Sequence, residues 1–215
     1  MSTPARAAAD SSDRAPDRLA AALAGGFVIL LVSTELILSL PDENDSPIAV
    51  ASFYASHRGI IIILQMLGFV AALLLAGYAW RLRRVDRLVS AAGVVMAVCA
   101  MVPGVITLVV AVVADPVDPA PAGRWNVLEP RGDDILFVAV LLFAAAITVR
   151  LGRRLPALGV LALLVAVSCL VRLGLELGGA NRGPLEAVVP LSFLALVAVM
   201  AVLSLLGILR PTAST

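Results

Sequence analysis

Lysine is absent from the 215 residues, histidine occurs once, cysteine twice, and only 14% of the chain is charged. Each scarcity removes a class of function. Cys99 and Cys169 lie in apolar runs, far in sequence from each other and from His57, so they offer no metal-ligand spacing. They read as small packing residues. No Walker loop and no G-x-S-x-G turn occurs, and nothing beyond basic turns could meet a nucleic acid. No cofactor is implied. Neither a fixed-period repeat nor an inverted duplication of the transporter kind is visible. What fills the chain instead is hydrocarbon: 61% of residues are hydrophobic and the mean hydropathy is +1.03. A soluble domain is roughly half apolar and a quarter charged, so this composition belongs to an integral membrane protein.

Six apolar runs are expected to span the bilayer as an all-α six-helix bundle: 19–40, 59–80, 88–114, 135–149, 155–178 and 185–209. Residues 1–18 and 210–215 read as polar tails, the first disordered for want of anything to bury. The first run is too long for a signal-peptide core and is read as a retained span. Arginine placement sets the orientation, since cytoplasmic loops gather basic residues. Arg81, Arg83, Arg84 and Arg87 share one connection, and Arg150, Arg153 and Arg154 another. Even-numbered crossings place both connections beside the two termini, which carry Arg6, Arg14, Arg18 and Arg210. The other loops collect Asp42, Glu43, Asp45, Asp115, Asp118, Glu129, Asp133, Asp134 and Glu186. The expected topology is therefore multi-pass in the cell membrane with both termini cytoplasmic.

The stretch ASFYASHRGIIILQMLGFVAALLLAGYAWRLRR, residues 51–84, places FY-x-x-x-R before a span and a basic turn after it. It resembles the loop-to-second-span segment of small actinobacterial six-helix integral membrane proteins. The resemblance implies topology and source and carries over no functional residue. Arginine as the sole basic side chain besides His57 fits GC-rich coding rather than any chemistry.

The polar groups inside the spans are unevenly distributed. With ~1.5 Å rise per residue, Glu35 lies ~24 Å and Arg172 ~26 Å from the cytoplasmic starts of their spans. Gln65, Ser192 and Thr107 fall in the same outer third, and Asp133 and Asp134 stand at the outer start of the fourth run. Pro103, beside Gly104, and Pro190 are expected to break helices there, each freeing a carbonyl one turn back. The inner two-thirds is almost wholly Val, Leu, Ala and Gly. A channel or proton relay needs polar groups along its whole path or at the midplane, so a shallow outward pocket fits better.

Ser168, Arg172 and Glu176 share one stripe of the fifth run. One reading has Arg172 and Glu176 snorkelling to the interface. The other has Arg172 bridging Glu35 and leaves an acid for chemistry. On that second reading the candidate acids are Glu35, Glu176 and Asp134, and the candidate binding residues are Arg172, Gln65, His57, Ser168 and Asp133. Burial and crowding of like charge raise a carboxyl pKa, and a protonated acid can open an isoprenoid chain for cyclisation. The expected partners are membrane lipids, with a lipid or isoprenoid molecule in the pocket, no nucleic acid, and oligomer formation left open. A non-enzymatic accessory or immunity protein, or a transporter subunit, is the alternative.

Overall fold

The computed structural model describes residues 17–41, 45–178 and 185–209. Residues 1–16 and 210–215 of the expected tails therefore lie outside the described residues, while Asp17 and Arg18 belong to the start of the first helix. Asp42, Glu43 and the side chains of Glu35 and Glu186 lie outside them too. The described chain is helical throughout. Its helices are α1 (Arg18–Glu35), α2 (Pro47–Arg81), α3 (Arg87–Cys99), α4 (Met101–Val113), α5 (Ala120–Asn126), α6 (Glu129–Leu151), α7 (Pro156–Leu177) and α8 (Leu185–Leu205). A 3₁₀ turn, Leu82–Arg84, follows α2. Five stretches are long and apolar enough to cross a membrane, with α3–α4 and α5–α6 each counting as one, and α1 is a shorter apolar helix. Large apolar side chains stand exposed around the bundle, among them Ile63, Leu73, Val149, Val160, Leu164 and Leu170. A soluble monomer rarely shows apolar patches of that extent, and lipid accounts for them.

Helix starts follow local chemistry. Asp17 Oδ1 accepts the Ala20 N–H, Ser46 Oγ accepts that of Ala49, and Asp86 Oδ1 accepts those of Leu88 and Val89. Proline opens α2, α6 and α7, where a missing N–H costs nothing. The expected break in the third span appears at Ala100, between α3 and α4, rather than at Pro103-Gly104 itself. A proline ring clashes with the carbonyl four residues back, which here is that of Cys99.

Two other boundaries differ from the hydropathy reading. The fourth span begins at Glu129, not Ile135, because Glu129-Pro130 is a good helix start that an average over polar residues hides. Asp133 and Asp134 are thus in the second turn rather than at the helix start. And α2 begins at Pro47, so its 35 residues run ~52 Å, well beyond the ~30 Å hydrocarbon.

The spans close into a ring. Helix α1 packs on α2, α2 on both α3 and α4, these two on α6, then α6 on α7, α7 on α8, and α8 back on α1. A large core fills the ring at the end where the arginine turns lie, with Phe27, Leu75, Tyr78, Met96, Phe143, Ile147, Leu158, Leu196 and Met200 buried together. A second, smaller core sits at the opposite, acidic end. There Val50, Ala51 and Tyr54 of α2 bury with Val110 and Ala111 of α4, Ala114 just beyond its end, and Ala122 of α5. Those spacings put one stripe of α2 inward, which is why the helix persists beyond the hydrocarbon length.

At the arginine end, two ion pairs tie the elements together. Arg81 Nη2 lies 2.8 Å from Asp17 Oδ2, and Arg150 Nε lies 2.8 Å from Asp86 Oδ2. Burial alone pushes the Asp86 carboxyl up, but the bond from Arg150 and the N–H groups of Val89 and Leu88 outweigh it and hold it below the ordinary range. A carboxyl so depressed adds stability that is complete above its unfolded pKa, near ~4, and is lost as pH falls through its folded value. Asp86→Ala should cost about 1 kcal/mol for the cap. The ion pair adds at most about 1 kcal/mol more, since Arg150 is half exposed. Melting in detergent between pH 6 and 3 checks this: the variant should lose less stability on acidification than the parent, and equal slopes would count against it.

Candidate functional site

Arg172 sits one residue past the sixteenth position of α7 and Asp134 seventeen residues before the end of α6. At ~1.5 Å per residue both stand ~24–26 Å from the arginine end, at matched height on neighbouring helices. Arg172 Nη1 donates to Asp134 Oδ1 at 3.1 Å, and the guanidinium carbon lies 3.9 Å above the Phe137 ring centroid. The Arg172 side chain is 3% exposed and that of Asp134 17%. An ionised pair this deep faces protein rather than lipid, as the cost of charge in hydrocarbon requires. Arg131 reaches the same carboxylate only at 3.9 Å and is 70% exposed, so it contributes little. Arg172 Nε is buried without a hydrogen-bond partner among the described residues.

A second polar group lies where α2, α4 and α6 meet. Thr107 Oγ1 donates to Glu129 Oε1 at 2.9 Å, and Tyr54 is buried nearby in the small core. Arg58 closes the same end by donating from Nη2 to the Ala114 carbonyl at 2.6 Å. Helix α5 is seated on the start of α2: a Cβ on Gly123 would stand 2.9 Å from Pro47 Cβ, so only glycine permits the approach. Pro121, Arg124, Trp125 and Leu128 border a shallow depression at α5 that is mostly open.

Of the residues singled out from sequence, the structure brings Asp134 and Arg172 together, with Asp133 beside them in the chain. Asp133 and Glu176 each hold an interaction of their own. Gln65 is turned toward α4, its Oε1 3.0 Å from where a Gly104 Cβ would be. His57 stacks on Phe53 at 4.5 Å between ring centroids, with Nδ1 2.9 Å from both the Phe53 carbonyl and Ser56 Oγ. Ser168 is half-buried on α7 and donates to its own helix at the Leu164 carbonyl, 2.8 Å away. None of the described bonds of His57, Gln65 or Ser168 runs to Arg172, although Ser168 stands one turn from it on the same stripe of α7. The side chain of Glu35, the expected partner of Arg172, lies outside the described residues, and the partner observed is Asp134, expected to be a candidate acid. Among the described residues no three His, Cys, Asp or Glu side chains are grouped as metal ligands.

The depression of Arg124 and Trp125 was not legible as a site. Its residues belong to PAPAGRWNVLEP, where three prolines suggest a loop, yet Pro119 and Pro121 both stand at the start of a helix, where proline fits. The one available signal was the pairing of a cation and an indole within an otherwise acidic loop. No family model, no curated protein and no solved structure matches the chain.

Proposed function

We propose that this is a multi-pass membrane protein, its arginine end cytoplasmic, that engages a lipid at the opposite end without catalysis. The observation that carries the reading is the depression of Pro121, Arg124, Trp125 and Leu128 on a helix fixed to the end of α2. An arginine supplies a cation for a phosphate, and an exposed indole favours the membrane–water interface. So open a depression is not an enclosed ligand pocket, and it would meet a headgroup rather than hold a whole isoprenoid chain. The acyl or prenyl chain would lie along the exposed apolar flanks.

Acid-initiated chemistry on a prenylated substrate draws less support. It needs an uncompensated carboxyl facing substrate, whereas Asp134 is bound to Arg172 and Glu129 accepts from Thr107. The accessory-protein alternative is compatible with the same depression, occupied by a partner's anionic group.

Lipid retained by the purified protein tests the proposal. Arg124→Ala with Trp125→Ala should cut binding of a phosphate-headgroup lipid at least tenfold, a loss of ~1.4 kcal/mol, while leaving the melting temperature within a few degrees. Unchanged retention in that variant would remove the depression as the binding site. Turnover of a prenyl substrate, abolished by Asp134→Asn or Glu176→Gln in a folded protein, would instead restore the enzyme.

A further inference from the structure

The two arginine turns hold seven arginines: Arg81, Arg83, Arg84 and Arg87 in one, Arg150, Arg153 and Arg154 in the other. Arg81 is bound to Asp17 and Arg150 to Asp86. Arg83, Arg84, Arg87, Arg153 and Arg154 are exposed, and none has a carboxylate in ion-pair range among the described residues. The Asp86–Arg150 bridge spans the two turns, so it draws these five charges toward one patch instead of two, although Arg84 also feels Asp17 from beyond ion-pair range. The patch is also held still. A Cβ on Gly159 would come within 2.6 Å of Gly152 Cα, so the α6–α7 turn is closed backbone on backbone beside Arg153 and Arg154. In the other turn Arg83 is laid over the Trp80 ring at 4.3 Å.

We infer that this patch is a docking surface for anionic phospholipid headgroups. The argument is charge complementarity at a defined height. Trp80 is 56% exposed at the end of a membrane-length helix, the level at which indoles settle among headgroups, and it positions Arg83 there. Exposed Leu88, Val149 and Val160 flank the turns, so acyl chains lie directly below the guanidinium groups. Five like charges fixed together repel one another, and phosphates on lipids already in contact with those apolar flanks relieve the repulsion at little entropic cost. Arginine forks suit phosphate oxygens geometrically as well as electrically. This surface is at the opposite end from the Arg124 depression and does not depend on it.

The test uses the full chain, exchanged into equimolar phosphatidylglycerol and phosphatidylcholine and then stripped of loose lipid before native mass spectrometry. The parent should retain phosphatidylglycerol preferentially. Each substitution among Arg84→Gln, Arg87→Gln, Arg153→Gln and Arg154→Gln should lower the preference about fivefold, the equivalent of ~1 kcal/mol per surface arginine. Arg124→Gln should leave it intact. Raising salt from about 0.1 M to about 1 M should weaken it in the unaltered protein, since exposed charges are screened within a few ångströms at that strength. That arm needs no variant to fold. Equal retention of the two lipids, a preference insensitive to salt, or one that survives loss of all four arginines would each overturn the inference. Loss of the preference in Arg124→Gln alone would transfer it to the other end of the molecule.

Discussion

Arg172→Met is expected to destabilise the bundle by ~3–5 kcal/mol, because it leaves the Asp134 carboxylate, at the end of the bundle away from the arginine turns, without its close partner. Arg131 cannot take over: it is 70% exposed and 3.9 Å away. Asp134→Leu should be comparably damaging, since it strands a guanidinium that is 3% exposed. Combining the two should restore most of the loss, as apolar replacement of a whole buried pair is often close to neutral. Unfolding of the purified protein by denaturing detergent gives the three values. The diagnostic quantity is the departure from additivity: if the single losses simply sum in the double variant, the pair is not a unit. The Phe137 ring sets a lower limit on what Arg172→Met retains, because methionine can keep the apolar contact but not the cation–π attraction, worth ~0.5–2 kcal/mol.

The second large effect is expected at Gly159. Its Cβ position falls 2.6 Å from the Gly152 Cα, and the obstacle is backbone, which cannot swing away as a side chain end can. Even Gly159→Ala must therefore push α6 and α7 apart at their turn. Overpacking costs ~1–3 kcal/mol, and this site belongs at the top of that range or above it. The displacement has leverage, since the Arg172–Asp134 contact at the far end of the same helix pair depends on their register. Gly174→Ala is the matched control, because nothing lies within 4 Å of its Cβ position and alanine favours helix by ~1 kcal/mol. If Gly159→Ala melts like Gly174→Ala, the close approach of the two helices is not a determinant of the fold.

Apolar periods and arginine clusters made the helices and their approximate limits legible, because hydrocarbon thickness is a strong constraint on length. What stayed hidden was set by tertiary contact. The beyond-membrane part of α2 reads as polar loop by hydropathy, yet Val50, Ala51 and Tyr54 form a buried stripe once α4 and α5 are in place. Helix α5 is short, proline-rich and held by its neighbours rather than by its own propensity. Arg172 was legible as a deep cation, but its partner was not, since height alone cannot separate acids on different helices. Asp134 is engaged because α6 is adjacent to α7 in the ring. Gln65 has the right height but is turned toward α4, His57 stands ~12 Å further along α2, and Ser168, on the same stripe as Arg172, bonds its own helix; one-dimensional depth resolves none of this.

Closure of the ring has a consequence for biosynthesis. Phe27 of α1 packs edge-on against Phe193 of α8, 6.1 Å between centroids, and the Asp17 N–H donates to the Ser204 carbonyl. Of the described helices, α1 leaves the ribosome before the others, and one of its flanks has a partner, α8, translated after all of them. Until α8 arrives, α1 can rest only on α2, with Phe27 and Ala24 turned to lipid or to whatever insertion factor shelters them. Quality control in the membrane consequently has a single late event to monitor, the docking of the final helix against the first. Any stall before Leu185 leaves an open arc of at most five of these apolar stretches rather than a smaller version of the finished bundle.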